Sequence, residues 1–180
     1  MTSCKPADIE QKARDLINRA RLTGPPVQLE ELVKHLGLQL MAANLGDEIS
    51  GVLVVKEGAG IIGYNRDQAR VRQRFTIAHE MGHFILHHAA QNLFIDRSAT
   101  SVFHRDQSSS TGDRALEVQA NQFAAALLMP SDFIAEELRN AYFRDDEEMI
   151  SALAQKFVVS EHAMSLRLSR LGHVSPNDEW

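Results

Sequence analysis

The stretch "RQRFTIAHEMGHFILHH", residues 72–88, decides how this chain is read. It holds His79-Glu80-x-x-His83 in an apolar run with no proline and one glycine, Gly82. Such a run predicts one long helix, over about 67–88, with Asn65 as its expected cap. At about 100° per residue, His79 and His83 lie about 40° apart, one turn along the axis. Their imidazoles can therefore converge on one cation. Glu80 lies about 100° from His79, on the flank of that face, where a carboxylate reaches a water on the cation without being a ligand. Zinc brings the pKa of such a water to about 7, and the carboxylate takes its proton as the hydroxide attacks a carbonyl. The plain alternative is two surface or capping histidines four residues apart by chance. The apolar neighbours Ile77, Ala78, Met81, Ile85 and Leu86 weigh against it, because polar groups buried on such a helix need partners.

A catalytic zinc takes three protein ligands and keeps one position open. His87 shares the face of the pair but lies a further turn along the axis. His87 and His88 read as C-terminal-turn histidines favoured by the helix dipole. The remaining candidates are His104, Asp106, Asp113 and Glu117. His104 and Asp106 sit in a polar stretch, where water satisfies them. Glu117 opens "EVQANQFAAALLMP", residues 117–130, a helix so apolar that a charge on it needs a reason. Asn121, four residues on, shares its face and can hydrogen-bond groups around the site. The expected site is one Zn2+ per chain on His79, His83 and Glu117, with Glu80 as general base.

The rest of the chain sets the frame. Its 180 residues, 44% apolar and 24% charged, suit one globular domain with room for a small appendage. A net charge of −5 gives no bulk electrostatic footprint for nucleic acid. The single cysteine, Cys4, excludes an intrachain disulfide and fits a reducing cytoplasm. No signal-like run and no run of about 18 apolar residues occurs, so no membrane span is expected.

"ADIEQKARDLINRARL" predicts a helix over about 7–22, and "VQLEELVKHLGLQL" a short one ending near Gly37. "LQLMAANL" reads as a strand. Val52–Val55 and Ile61–Ile62, flanking "KEGAG", read as a hairpin. "SVFH", residues 101–104, is a further strand candidate, and "QSSSTGD", residues 107–113, a loop. Pro130 ends the Glu117 helix, and Ser131 is the expected cap of the next. "DEEMISALAQKFVVSEHAMSLRLSRLG" reads as two helices broken at "VVS". No internal repeat is visible.

The two motifs together, in this order behind N-terminal helices and a hairpin ending "IIGYN", resemble the ImmA/IrrE family of zinc-dependent endopeptidases. The resemblance is best over about 25–135 and looser after 145. It implies that His79 and His83 bind zinc, that Glu117 is the third ligand and that Glu80 is the general base or acid. It also implies a substrate: a helix-turn-helix repressor, often encoded beside the peptidase, whose cleavage derepresses its genes. The fold expected is α+β. A zincin-like core with a small antiparallel sheet and N-terminal helices would span 1–145, with a C-terminal helical pair and tail over 146–180. In other proteases with this motif a sheet edge holds the extended substrate, a role that would fall here to Ile61–Tyr64.

"LAQKFVVSEHAMSLRLSRLG" also has the outline of a helix-turn-helix, its second helix capped by Ser160. The exposed charges of that helix would be Glu161, Arg167 and Arg170. This is a weak basic face, with Glu161 in the turn that usually meets bases. A pair that packs on the core or docks a protein substrate is the preferred reading. Two classes of function follow. One is a cytoplasmic zinc endopeptidase acting on a regulatory protein, with no direct nucleic acid and no membrane. The other is a non-proteolytic binding protein that uses the same fold on a repressor or on DNA. A broad, toxin-like protease ranks third. Glu80 favours cleavage, since a retired site has no need of it.

Overall fold

The computed structural model describes residues 4–56, 59–87, 93–97 and 111–175. Seven helices and four strands run through them in α+β order. Helix α1 (Pro6–Arg19) turns Ile9, Ala13, Leu16 and Ile17 inward, and Pro6 sits in the first turn, where its missing N–H costs nothing. It stops short of the expected 22, with Arg21 at φ 57. Helix α2 (Leu29–His35) is followed by Gly37 at φ +70, the left-handed position expected of it.

Strands β1 (Leu38–Ala43), β2 (Ile49–Lys56), β3 (Ala59–Asn65) and β4 (Leu93–Arg97) form one sheet in the order β1-β3-β2-β4. β2 and β3 are the expected hairpin, and β4 lies antiparallel on the other side of β2. β1, however, runs parallel to β3, from Leu38 opposite Gly60 to Ala43 opposite Asn65. The sheet is therefore mixed, where a purely antiparallel one was expected. A strand's own residues report its faces but not the direction of its neighbour, and this neighbour lies beyond β2 in sequence.

The same pairing removes one expectation. β3 has a strand on each side, so Ile61–Tyr64 offers no free edge to a substrate strand. The edges of the sheet, among the described residues, are β1 and β4. β4 itself was not foreseen. The strand candidate at 101–104 lies outside the described residues, and Thr111–Asp113, expected as loop, already belong to helix α4.

Helix α3 (Arg70–His87) lies across β2 and β3 on one side and packs against α4 (Thr111–Leu128) on the other. Leu53 and Ile62 from the sheet, Ala78 and Met81 from α3, and Phe123 and Leu127 from α4 are fully enclosed there. Each large side chain so buried contributes roughly 1.5–3 kcal/mol. Asn65 does not cap α3. Its Oδ1 accepts from the Asp67 N–H at 3.1 Å, and its Nδ2 donates to the carbonyls of Gly46 and Ile49. A tight turn built on the asparagine thus intervenes before Arg70.

In helix α5 (Ser131–Asn140) the cap position belongs to Pro130. Ser131 lies inside the first turn, and its hydroxyl accepts from Arg14 Nη2 at 2.8 Å instead of capping. Helices α6 (Asp146–Phe157) and α7 (Glu161–Arg170) are capped by Asp145 and Ser160, the latter as expected. Between them Val158 takes φ 55, costly for a β-branched residue. Arg74 braces this turn, donating to the Val158 carbonyl at 3.3 Å and to that of Val27 at 3.0 Å.

Arg167 corrects another expectation. It is not an exposed charge of α7 but only 5% accessible. Its Nε donates to the Met129 carbonyl at 2.9 Å, and its two terminal nitrogens grip the Glu10 carboxylate. It shares the inward face of α7 with Met164 and Leu168. The partner that makes burial affordable stands 157 residues away, on α1. The buried residues of α6 and α7 belong to the same core as the rest. Among the described residues no helix is long and apolar enough to cross a membrane.

Candidate metal centre

The site is built where α3 and α4 touch. A Cβ on Gly82 would stand 3.1 Å from both Cα and O of Ala120, and 3.3 Å from the Phe123 Cβ. Only glycine lets the helices approach so closely. Gly82 lies inside H-E-x-x-H, and Ala120 lies between Glu117 and Asn121. This one contact therefore sets the second motif over the first. The start of α3 is fixed to β2 by buried Ser50, whose hydroxyl accepts from Arg72 Nη2 at 2.9 Å and Gln68 Nε2 at 3.1 Å.

The Nε2 atoms of His79 and His83 face each other at 3.0 Å. Glu117 spans them, Oε2 lying 3.2 Å from His79 Nε2 and Oε1 3.2 Å from His83 Nε2. Both histidines are buried and the Glu117 side chain is half-exposed, so the group opens to solvent on the α4 side. Asn121 Oδ1 lies 3.0 Å from His79 Nδ1. An amide oxygen only accepts, so Nδ1 carries a proton, which leaves Nε2 as the nitrogen able to offer a lone pair to a metal. Burial pushes the Glu117 carboxyl up, but with no metal in place the hydrogen bonds that His79 and His83 give it through Nε2 outweigh burial and hold the group at about 2.

Two imidazole Nε2 atoms that can give up their protons to a metal, beside an ionised carboxylate, with ligand atoms of all three residues within 4.8 Å of one another, make a donor set that fits a zinc ion. Glu80 is not part of that group. It is wholly buried on the sheet side of α3, with Oε1 3.1 Å from where a Cβ on Gly51 would stand. Gly51 of β2 thus makes room for the carboxylate beside the histidines.

Of the other sequence candidates, His87 closes α3 and Asp113 lies one turn before Glu117 in α4, but their side chains are outside the described residues. His88, His104 and Asp106 lie outside them altogether. Gly51 and Gly82 were not singled out from sequence as site builders. Their signal was there: a glycine inside an apolar helix, and another inside a β-branched strand, mark close approaches.

The IrrE N-terminal-like domain, Peptidase_M78, matches residues 33–169 as a family model. The chain belongs to this family. The resemblance read from the two motifs is thereby borne out. Immunity region protein 2 of Bacillus phage phi105, itself uncharacterized, is 27% identical over 139 residues, 77% of this chain and 78% of that protein. The radiation response metalloprotease IrrE of Deinococcus radiodurans is 36% identical over 89 residues, 49% of this chain and 24% of IrrE. A solved transcriptional regulator of Mycobacterium tuberculosis shares the fold at a TM-score of 0.59 and 22% identity, over 91% of this chain and 46% of the regulator. The chain thus spans about a quarter of IrrE and under half of that regulator.

Proposed function

We propose that this M78-family chain is a zinc-dependent endopeptidase that cuts a helix-turn-helix repressor and so derepresses its genes. The observation that carries the reading is the convergence of His79, His83 and Glu117, from two helices pinned together at Gly82. Zinc held there supplies Lewis-acid chemistry, polarising a carbonyl and making water a nucleophile near neutral pH. The protein's own groups do the rest. Asn121 holds the His79 ring in the tautomer whose Nε2 is a ligand. Glu117 adds negative charge, and Glu80, on the flank, is the general base or acid.

The α3–α4 pair on the sheet is on this reading a zincin-like core within residues 1–145, and α6–α7 a helix-turn-helix-like pair within 146–180. The division is one of role, since one core runs through both. The repressor substrate is supported by the family resemblance and by relatives named for phage immunity and radiation response. A cytoplasmic setting is supported by the single cysteine. The rival reading, a regulator that binds without cutting, has one exposed cation fewer on α7 for a DNA-facing form, since Arg167 is turned inward.

The test is co-expression with candidate helix-turn-helix repressors, followed by mass spectrometry of fragments and elemental analysis of the purified protein. Expected are one specific cut and one zinc per chain, with zinc lost in Glu117→Ala and kept in His104→Ala. Normal zinc in Glu117→Ala overturns the ligand assignment. An uncut repressor that still binds revives the rival.

A further inference from the structure

Five large apolar side chains stand exposed among the described residues, and two of them, Val118 and Leu166, line the same space. It is a groove of about 260 Å³ between α4 and α7, lined also by Phe75, Ala125 and Met129. Single exposed apolar residues are ordinary. Two that share a concave, mostly apolar surface are the usual makings of a binding site.

The position of the groove says what it would take. Asn121 lines it, and the same side chain meets His79 Nδ1 at 3.0 Å. The Phe75 ring, also in the lining, is centred 6.2 Å from the His79 ring. The groove therefore begins about one imidazole away from the Nε2 atoms of the candidate metal centre. Arg167 and Arg170 of α7 also line the groove. Arg167 is neutralised by Glu10, whereas Arg170 is exposed and makes no ion pair among the described residues. An extended chain advances about 3.3 Å per residue, so a peptide reacting at the centre has only a few residues with which to fill the groove.

We infer that this groove is a specificity subsite for the polypeptide substrate. It takes a large aliphatic or aromatic side chain between Val118 and Leu166, on one side of the scissile bond, and an acidic residue at Arg170. The inference rests on the peptidase reading above. It gives α7 a role: its outward face is one wall of the substrate groove, while Arg167 on its inward face fixes that wall to α1 and the end of α4.

The test uses zinc-loaded Glu80→Gln protein as bait and a fully randomised synthetic decapeptide library as the probe, the bound pool being sequenced by mass spectrometry. The pool is expected to be enriched in Leu, Ile, Phe or Met at a fixed spacing from Asp or Glu. Leu166 is nearly half exposed, so Leu166→Asp is compatible with folding. It should weaken binding of the enriched peptides by on the order of tenfold or more. Arg170→Glu should exchange the acidic preference for a basic one. Zinc content should be unchanged in both, and wild-type protein should cut the enriched peptides. If both variants keep the wild-type preferences, the groove is not the subsite, while cleavage by the wild type still upholds the peptidase. If the peptides bind with these preferences but are never cut, the peptidase reading falls and the cleavage subsite with it. Failure to enrich any peptide overturns the inference.

Discussion

In the α3–α4 pair, ionisable side chains on apolar helices turn toward one another. His79, His83 and Glu117 meet at 3.0–3.2 Å and open to solvent on one side. In the α6–α7 pair the comparable charge, Arg167, turns away from solvent, and Nε, Nη1 and Nη2 each donate one hydrogen bond, to the Met129 carbonyl and the Glu10 carboxylate. Both placements satisfy the rule that a buried charge needs partners. What separates them is where the partnering ends. The first group leaves ligand atoms converging on a common point, as a reactive site requires. The second closes on itself and holds helices together. A charge on an apolar helix is thus a signal of partnering and not yet of function.

The largest effect should come from Glu80, an acid beside the first group that the ligand set does not use. Glu80→Gln keeps the shape of the side chain and removes the proton acceptor. Cleavage should fall roughly a hundred- to ten-thousand-fold with zinc content unchanged. A variant that cuts at the wild-type rate would show that Glu80 is not the base.

Two substitutions separate the pairs by what else they disturb. Gly82→Ala inserts a Cβ where Ala120 leaves 3.1 Å, so the helices must part. Overpacking of this kind costs about 1–3 kcal/mol, and because Glu117 rides on α4, zinc affinity should drop as well. Arg167→Met should cost a similar or smaller amount, about 1–3 kcal/mol, since the Met129 carbonyl loses its donor while Glu10 is part-exposed and returns to water. Zinc affinity should stay as it was. Denaturant midpoints paired with zinc titrations read both, and a loss of zinc affinity in Arg167→Met alone would collapse the distinction between the pairs.

The smallest effect is a pH dependence in the metal-free protein. The folded Glu117 pKa, about 2, lies below its ordinary 4.5. Its contribution to stability is therefore complete above about pH 4.5 and is lost as pH falls toward 2. The stability difference between wild type and Glu117→Gln should be flat above that window and shrink within it. A difference that stays constant down to pH 2 would mean that the histidines do not hold the carboxylate in solution.

The site was more legible in sequence than the sheet or the C-terminal pair, and the reason is spacing. His79, Glu80 and His83 lie within two turns of one helix, and Glu117 and Asn121 within two turns of another, so helical geometry alone ranks their faces. Asn121 fell where that geometry put it, beside His79. The sequence also marked the helix ends at Gly37 and Ser160 through residues whose local chemistry dictates the turn. Asn65 and Ser131 carry the same chemistry and spend it elsewhere, on Asp67 and Arg14. Choices between distant partners were not in the sequence to be read. The parallel seat of β1 on β3, the occupied edges of β3, the room that Gly51 leaves for Glu80 and the clasp of Arg167 on Glu10 each join segments far apart in the chain. Residue type and period fix which face of an element is buried. Only the packed chain fixes what that face is buried against, because the deciding terms, close backbone approach and the pairing of buried charge, exist only when both partners are present.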